Sequence, residues 1–266
     1  MSDTVLSLVT LAARKHGGPK LATLTAYDAT SARLADAAGV DLVLVGDSLG
    51  MVIQGAANTL GVSVDDVAYH TAAVARGLSR AVLMADLPFA SYPDAASAFS
   101  SAARLIRAGA ALVKLEGAGH VIGIVEHLVA REIPVCAHLG LTPQAVHRFG
   151  GFKVQARDAA AAARLKADAL ALQAAGACLL VLECVPAALA AEVTRSLEIP
   201  VIGIGAGADC DGQILVWHDL LGMSAPPRPR FVRDFLKGHD SIEAALGGYV
   251  AAVRDGGFPG AKEGYR

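Results

Sequence analysis

Carboxylates directly follow two apolar runs in this 266-residue chain. Residues 43–46 lead into Asp47, and residues 82–85 lead into Asp86. A charge at the end of a buried strand is costly unless it has a partner. Mg2+ prefers oxygen ligands and takes one or two carboxylates together with water and substrate oxygens. We therefore predict that Asp47 and Asp86 share a divalent cation, with capping of the following helices as the structural alternative.

A third apolar run carries Lys114 and Glu116 two residues apart, so their side chains are predicted to share one face of a strand. A buried ammonium group needs an anion, which for Lys114 is either Glu116 or the carboxylate of a substrate. Glu116 can hold a metal-bound water behind the ligands. By the same alternation, Asp47 is predicted to share the interior face with Val43 and Val45.

Two further runs end in residues that can transfer protons. His138 follows residues 133–137, and Glu183 follows residues 179–182. His138 is either a satisfied core histidine or a participant in catalysis. Glu183 is predicted to be a general base, with an ion pair to Arg157 as its structural alternative. A divalent metal, a cationic anchor and a carboxylate base suit the activation of a 2-oxo acid, whose enolate the metal would stabilise.

Strand-like and helical patterns alternate along almost the whole chain, and these elements must bring the polar strand ends together. Parallel strands covered by helices predict a (β/α)8 TIM barrel, an α/β fold whose active site lies at the C-terminal rim. About 250 residues is typical for one such barrel. We predict a single domain over residues 1–266 with extra terminal helices. A doubly wound open sheet fits the same alternation and is the alternative.

Three segments are less regular. Residues 140–157 form a long stretch rich in Gly, Pro, Gln and basic residues, which is typical of a functional loop. Residues 214–221 fit either a last strand or a short helix. The C-terminal helices are predicted at about 230–255, near residues 231–236 and 241–253.

The composition limits the partners. The net charge of -2 provides no basic surface for nucleic acid or for a membrane. Hydrophobic residues make up 54% of the chain, but uncharged candidates such as residues 169–182 are shorter than the roughly 20 residues of a membrane span. The four cysteines show no CxxC spacing, which argues against structural zinc. Residues 1–4 lack a secretory pattern, so a cytoplasmic protein is predicted. We therefore expect the chain to bind a small molecule and to form an apolar interface with other subunits.

Nine short segments, in order along nearly the whole chain, share the pattern of one known family. They are residues 25–28, 45–51, 68–71, 85–89, 113–117, 138–144, 150–155, 182–186 and 202–207. Together these segments resemble the ketopantoate hydroxymethyltransferase family. The match extends from about residue 21 to residue 260.

The resemblance implies a (β/α)8 barrel that assembles as a homodecamer. It also implies transfer of a hydroxymethyl group from 5,10-methylenetetrahydrofolate to 3-methyl-2-oxobutanoate, giving 2-dehydropantoate for pantothenate biosynthesis. By the family pattern, Asp47 and Asp86 are Mg2+ ligands that also contact substrate, and Glu116 holds the metal through water. The remaining implied roles are substrate contact for Ser48, Lys114 and His138, and proton acceptance for Glu183.

Residues 55–61 depart from the family pattern. They read GAANTLG where the family usually carries Gly-His-x-x-Thr-Leu-Pro, so the His and the Pro are lost. The departure concerns the loop after Asp47 and no residue assigned to metal or substrate.

Two other functions fit a barrel of this kind. A Mg2+-dependent lyase or mutase of the phosphoenolpyruvate mutase type also handles enolates of 2-oxo acids. Those enzymes generally carry a Cys in a mobile loop beside the metal, and residues 140–157 contain none. A barrel that binds a metabolite without converting it would be favoured by loss of the metal ligands or the base, and neither is lost.

Overall fold

Eight parallel strands form a closed barrel in the computed structural model, which describes residues 5–266. The absence of a secretory pattern in residues 1–4 lies outside the described residues. The strands are β1 Leu21–Thr25, β2 Leu42–Val45, β3 Val82–Asp86, β4 Leu112–Glu116, β5 Val135–Gly140, β6 Leu179–Glu183, β7 Val201–Ile204 and β8 Gly212–Leu215.

Pairing between β1 and β8 closes the barrel. Leu21 lies opposite Gly212 in this pairing, and Leu24 lies opposite Leu215. The predicted (β/α)8 barrel is confirmed, and the alternative of a doubly wound open sheet is wrong because an open sheet leaves two edges unpaired.

Helices follow every strand except β7, which leads directly into β8, and they cover the outer face of the barrel, so the strands are buried almost throughout. Side-chain caps begin most of the longer helices; Ser63, for example, forms a reciprocal capping box with Asp66. The helices are α1 Leu8–Ala12, α2 Ala29–Ala38, α3 Leu49–Val52, α4 Val64–Ala75, α5 Ala95–Arg107, α6 His120–Val129, α7 Val146–Phe149, α8 Ala159–Ala174, α9 Ala187–Ser196, α10 Trp217–Leu220 and α11 Ile242–Arg254. Short 3-10 helices span Ala13–His16 and Pro143–Ala145.

The C-terminal third differs from the sequence prediction in two places. Residues 214–221 contain both predicted elements, because β8 ends at Leu215 and α10 begins at Trp217. The helix predicted near residues 231–236 is wrong, since this segment consists of a turn, irregular chain and bends. The backbone of this segment bonds to a distant part of the chain. The amide of Phe235 donates to the carbonyl of Leu220 at 2.8 Å and not to a carbonyl one helical turn earlier.

The last helix, α11, packs against β1, β8 and α2. It agrees with the helix predicted at residues 241–253, and Ser241 caps its start. Within residues 5–266, none of the helices has the length and apolar character needed to cross a membrane.

Candidate active site

Strand register brings the polar strand ends to one rim. Asp86 lies opposite Lys114, and Glu116 lies opposite His138. Glu183 lies opposite Gly140 at the end of the next pair. All five of these charged or titratable side chains line one cavity of about 480 Å3 at the mouth of the barrel, together with Asp47 and Ser48. The structure therefore brings together all seven residues predicted from the sequence.

Asp47 reaches this cavity from a turn and not from a strand. β2 ends at Val45, and the residue of β2 that lines the cavity is Leu44. The prediction that Asp47 shares the face of Val43 and Val45 is therefore wrong, because strand alternation stops where β2 ends. The amide of Asp47 donates to Oδ2 of Asp86 at 2.9 Å, so the turn after β2 is joined to the end of β3.

Neither aspartate caps a helix, so the structural alternative for them is wrong. Ser48 stands at the N-cap of α3 and its side chain makes no capping bond. The helix that follows Asp86 is α5, and it is capped by Asp94. The Ser48 hydroxyl instead lies 2.8 Å from the hydroxyl of Tyr27, a buried residue beneath the cavity wall.

Lys114 is paired inside the barrel. Its Nζ lies 2.7 Å from Oδ1 of Asp86 and 4.0 Å from Oε1 of Glu116. Burial acts to lower the pKa of Lys114, but Asp86, Glu116 and Asp47 outweigh it and the pKa is raised. Lys114 is therefore a permanent cation at the floor of the cavity, and its principal partner is Asp86 rather than the predicted Glu116.

His138 lies between two carboxylates. Its Nδ1 is 3.4 Å from Oε1 of Glu116, and its Nε2 is 3.4 Å from Oε2 of Glu183. Burial and the charge of Lys114 act to lower the pKa of His138, but the two glutamates outweigh them and raise it to about 9. The two glutamates thus favour the imidazolium form of His138. Ion pairs of Glu183 with Arg157 are not found in the described part of the chain.

The carboxylates carry more negative charge than their neighbours offset. Burial, followed by the charges of Asp86 and Glu116, raises the pKa of Asp47 well above its usual range. Burial also raises the pKa of Asp86, against the effect of Lys114. For Glu116 the interactions with His138 and Lys114 overcome burial and lower the pKa. The oxygen-rich end of the cavity is consequently suited to an additional cation.

The donor set fits Mg2+ bound partly by other ligands. Oε1 of Glu116 is buried and accepts no hydrogen bond from the described residues. Within residues 5–266 no group of three or more His, Cys, Asp or Glu side chains forms a metal site by itself. Mg2+ does not require one, because it is commonly held by one or two carboxylates, with water and substrate completing the shell. Asp47 and Asp86 can supply those carboxylates.

Three residues of the site were not predicted from the sequence. Gln144 donates from Nε2 to Oδ2 of Asp47 at 2.9 Å, and Tyr92 donates its hydroxyl to Oε1 of Gln144 at 2.5 Å. Tyr27 contacts Ser48, as described above. Tyr27 and Gln144 lie inside the segments that resemble the family, which is a usable signal. Tyr92 lies in the loop after β3 and carried no sequence signal.

The loop that departs from the family pattern still forms part of the cavity wall. Oδ1 of Asn58 accepts a hydrogen bond from the amide of Leu60 at 3.1 Å, which closes a turn. Thr59 is buried and lines the cavity. Asn58 thus gives the loop a local constraint of its own.

Comparison with known proteins identifies the family. A family model described as Ketopantoate hydroxymethyltransferase matches residues 6–261. The chain belongs to the ketopantoate hydroxymethyltransferase family. A relative in this family, the 3-methyl-2-oxobutanoate hydroxymethyltransferase of Burkholderia multivorans, is 57% identical over 97% of this chain and 96% of its own. The protein of the same name from Burkholderia mallei is also 57% identical over those shares. The resemblance found in the sequence is confirmed, and the chain is an enzyme of the ketopantoate hydroxymethyltransferase family.

Solved structures share the fold at much lower identity. A phosphoenolpyruvate phosphomutase from Streptomyces platensis superposes with a TM-score of 0.62 at 16% identity, covering 82% of this chain and 83% of its own. A phosphonopyruvate hydrolase in complex with oxalate and Mg++ gives a TM-score of 0.61 at 16% identity, covering 81% of each chain. These likenesses show the barrel fold alone. Membership of the ketopantoate hydroxymethyltransferase family therefore decides against the mutase-type alternative.

Proposed function

We propose that this enzyme transfers a hydroxymethyl group from 5,10-methylenetetrahydrofolate to 3-methyl-2-oxobutanoate and so forms 2-dehydropantoate. The observation that carries the proposal is the arrangement in one cavity of a buried carboxylate pair, a permanent ammonium cation and a glutamate beside an imidazolium. This set can bind an anionic 2-oxo acid and remove a proton from the carbon next to its keto group.

Glu183 is the proposed base. Its Oε2 lies 3.4 Å from Nε2 of His138, so the carboxyl group lies at the cavity wall beside a proton-carrying side chain. Accepting the proton from C3 of the oxo acid places it on a Glu183 oxygen next to His138. The partial exposure of the Glu183 side chain leaves room for C3 to approach.

Lys114 and Ser48 are proposed to hold the substrate. The Lys114 ammonium group attracts the oxo acid carboxylate, and the Ser48 hydroxyl, oriented by Tyr27, can donate a hydrogen bond to it. Nδ1 of His138 lies 3.4 Å from the Lys114 ammonium group, and both side chains are next to Glu116. This placement orients C3 toward Glu183.

Asp47 and Asp86 would hold Mg2+ directly, and Glu116 would hold it through a water molecule. Bound there, the metal would supply the positive charge that stabilises the negative charge developing on the keto oxygen. The phosphonopyruvate hydrolase that shares this fold is in complex with oxalate and Mg++. A barrel of this fold can therefore bind a small carboxylate together with Mg2+, which supports the proposal.

The folate donor and a homodecameric assembly are proposed from the family resemblance. A cytoplasmic location is proposed from the cysteines, which are unpaired in the described residues. The cavity of about 480 Å3 is larger than a five-carbon acid, so a second ligand can reach the activated carbon. The apolar composition of the chain is consistent with burial of surface between subunits.

The deciding experiment is exchange of deuterium into C3 of 3-methyl-2-oxobutanoate by the enzyme with Mg2+ and without folate. We expect metal-dependent exchange by the native chain, and a loss of at least about 100-fold for Glu183→Gln. Glu198→Gln is a matched control, because the Glu198 side chain is 78% exposed. Absence of metal-dependent exchange in the native chain contradicts the proposed function. Full exchange by the Glu183→Gln variant contradicts the role of Glu183 alone.

A further inference from the structure

Gln144 lies at the centre of a hydrogen-bond network behind the carboxylates. Its Nε2 donates to Oδ2 of Asp47 at 2.9 Å and to the carbonyl of Leu87 at 3.0 Å. Its Oε1 accepts from the Tyr92 hydroxyl at 2.5 Å. Its own amide donates to Oε2 of Glu116 at 3.0 Å. One residue therefore contacts both the proposed metal ligand Asp47 and the proposed outer carboxylate Glu116.

The orientation of the Gln144 amide follows from the chemistry of its partners. Nε2 faces two acceptors, a carboxylate oxygen of Asp47 and the carbonyl of Leu87. The reversed orientation would place the carbonyl oxygen of Gln144 against both acceptors and leave the group without a donor. The Tyr92 hydroxyl supplies the matching donor to Oε1. Each polar group of the side chain is thus committed to a protein partner.

Asp47 depends on this contact for its orientation. Asp47 lies beyond the end of β2, where no strand pairing holds it. Among residues 5–266, Gln144 provides the sole hydrogen bond donated to the Asp47 carboxylate. That bond occupies Oδ2 and leaves Oδ1 available to a further ligand.

Gln144 does not line the cavity that contains the seven predicted site residues. It lines a second cavity of about 550 Å3, which shares Glu116 with the first. Tyr92 also lines the second cavity. Gln144 and Tyr92 therefore affect the substrate cavity indirectly, through their hydrogen bonds to residues that line it.

We propose that Gln144 is a positioning residue that holds Asp47 and Glu116 in the arrangement that binds Mg2+, and that Tyr92 acts by holding Gln144. This inference rests on the proposed role of Asp47 as a metal ligand. Residues that orient metal ligands commonly change metal affinity by about 10- to 100-fold when they are replaced.

The test is titration calorimetry of the full chain with Mg2+ alone. Gln144→Met keeps the length of the side chain and removes its hydrogen bonds to Asp47, Leu87 and Tyr92, while the backbone amide still donates to Glu116. We expect the Mg2+ dissociation constant to rise about 10-fold through the loss of the bond to Asp47. Tyr92→Phe removes one hydroxyl and is expected to raise the constant about threefold. The Tyr92 hydroxyl donates to Gln144 at 2.5 Å and otherwise accepts a longer bond of 3.3 Å from the Glu116 amide. Because Tyr92 acts mainly through Gln144, the double variant should bind Mg2+ about as weakly as Gln144→Met.

Gln173→Met is the matched control. Gln173 lies in α8 and its Oε1 accepts from the backbone amides of Glu198 and Ile199, away from the rim. We expect this variant to change the melting temperature without changing the Mg2+ dissociation constant. A purely structural role for Gln144 would give that same result in Gln144→Met and would overturn the proposal.

Two further outcomes are also decisive. Where Gln144→Met does not fold, Tyr92→Phe carries the test, and an unchanged Mg2+ constant in that variant overturns the proposal. A native chain that binds no Mg2+ contradicts the proposed function itself. A native chain that binds Mg2+ while the variants bind it equally well contradicts only the role of Gln144.

Discussion

The buried charges of the rim are interdependent. Lys114 and the His138 imidazolium face four carboxyl groups, those of Asp47, Asp86, Glu116 and Glu183, so they offset only part of the negative charge. The remaining negative charge affects Asp47. Its pKa is raised first by burial and then by the charges of Asp86 and Glu116. A divalent cation relieves this repulsion, so the native chain is expected to be more stable with Mg2+ than without it.

Asp47→Asn is expected to stabilise the metal-free protein. A carboxyl group whose folded-state pKa is raised destabilises the fold progressively as pH increases above its unfolded value of about 3.9. An Asn side chain does not ionise, so this destabilisation is removed. Its side-chain oxygen can still accept a hydrogen bond from Gln144. Calorimetry should show a higher melting temperature, by roughly 2–4 °C for each kcal/mol gained, and a difference that widens as pH rises.

The same variant should lose the stabilisation by Mg2+. The exposed Asp240→Asn is the matched control, because it removes an equal charge outside the cavity. We expect it to leave both the metal-free melting temperature and the response to Mg2+ unchanged. A rise in melting temperature with Mg2+ in Asp47→Asn equal to that of the native chain would show that Asp47 is not a ligand.

Strand ends position the proposed site residues, and at the end of β5 the backbone conformation requires a glycine. Gly140 has a φ of +90°, a conformation in which a Cβ atom is strained. A Cβ there would also overlap the carbonyl oxygen of Glu183. The following amide, of Leu141, donates to that carbonyl at 2.8 Å, so the β5–β6 junction fixes the backbone beneath the proposed base.

Gly140→Ala is expected to reduce both stability and exchange. The positive φ alone costs about 1–2 kcal/mol for a residue with a Cβ, and the overlap with Glu183 adds to it. Denaturant unfolding should show this loss, and deuterium exchange at C3 should slow because the Glu183 backbone must move. Gly123→Ala in α6 is the control, since an added Cβ there meets no atom within 4 Å. That change should stabilise by about 0.5–1 kcal/mol, and an equal loss in both variants would contradict the steric argument.

A tyrosine of the last helix contacts both strands whose pairing closes the barrel. Tyr249 of α11 is fully buried, and its hydroxyl donates to the carbonyls of Thr23 in β1 at 2.7 Å and Gln213 in β8 at 2.9 Å. These are the two strands whose pairing closes the sheet. Because α11 is anchored on the barrel in this way, we propose that residues 1–266 fold as a single domain.

Tyr249→Phe is expected to lower the free energy of unfolding by about 1–3 kcal/mol, because it leaves two buried carbonyls without this donor. Urea denaturation followed by circular dichroism measures the loss. Tyr69→Phe is the control, since the Tyr69 side chain is 74% exposed. Equal stability of the Tyr249→Phe variant and the native chain would show that the bridge to β1 and β8 does not contribute to closure.

The amino-acid sequence was sufficient for the order of the main elements and for the polar strand ends. Periodicity, caps and turn residues act over a few positions, so the start of α11 could be predicted within one residue. The helix predicted near residues 231–236 failed because the Phe235 amide finds a distant partner, Leu220, which no local pattern reveals.

Alternation and register then determined the details of the site. Asp47 could not be placed by strand alternation, because the chain turns after Val45. The choice of Asp86 rather than Glu116 as the principal partner of Lys114 depends on how β3 and β4 are staggered. Sequence spacing within one strand contains no information about the neighbouring strand.

Thus the sequence by itself determined an alternating α/β chain whose strands end in acids, bases and a lysine, because those signals are local. Only the tertiary structure decided that the sheet closes and that Gln144 meets Asp47, which is 97 residues away in the chain. Such contacts depend on strand register and on the paths of loops. They form only when distant segments pack together, so no periodic pattern in the sequence encodes them.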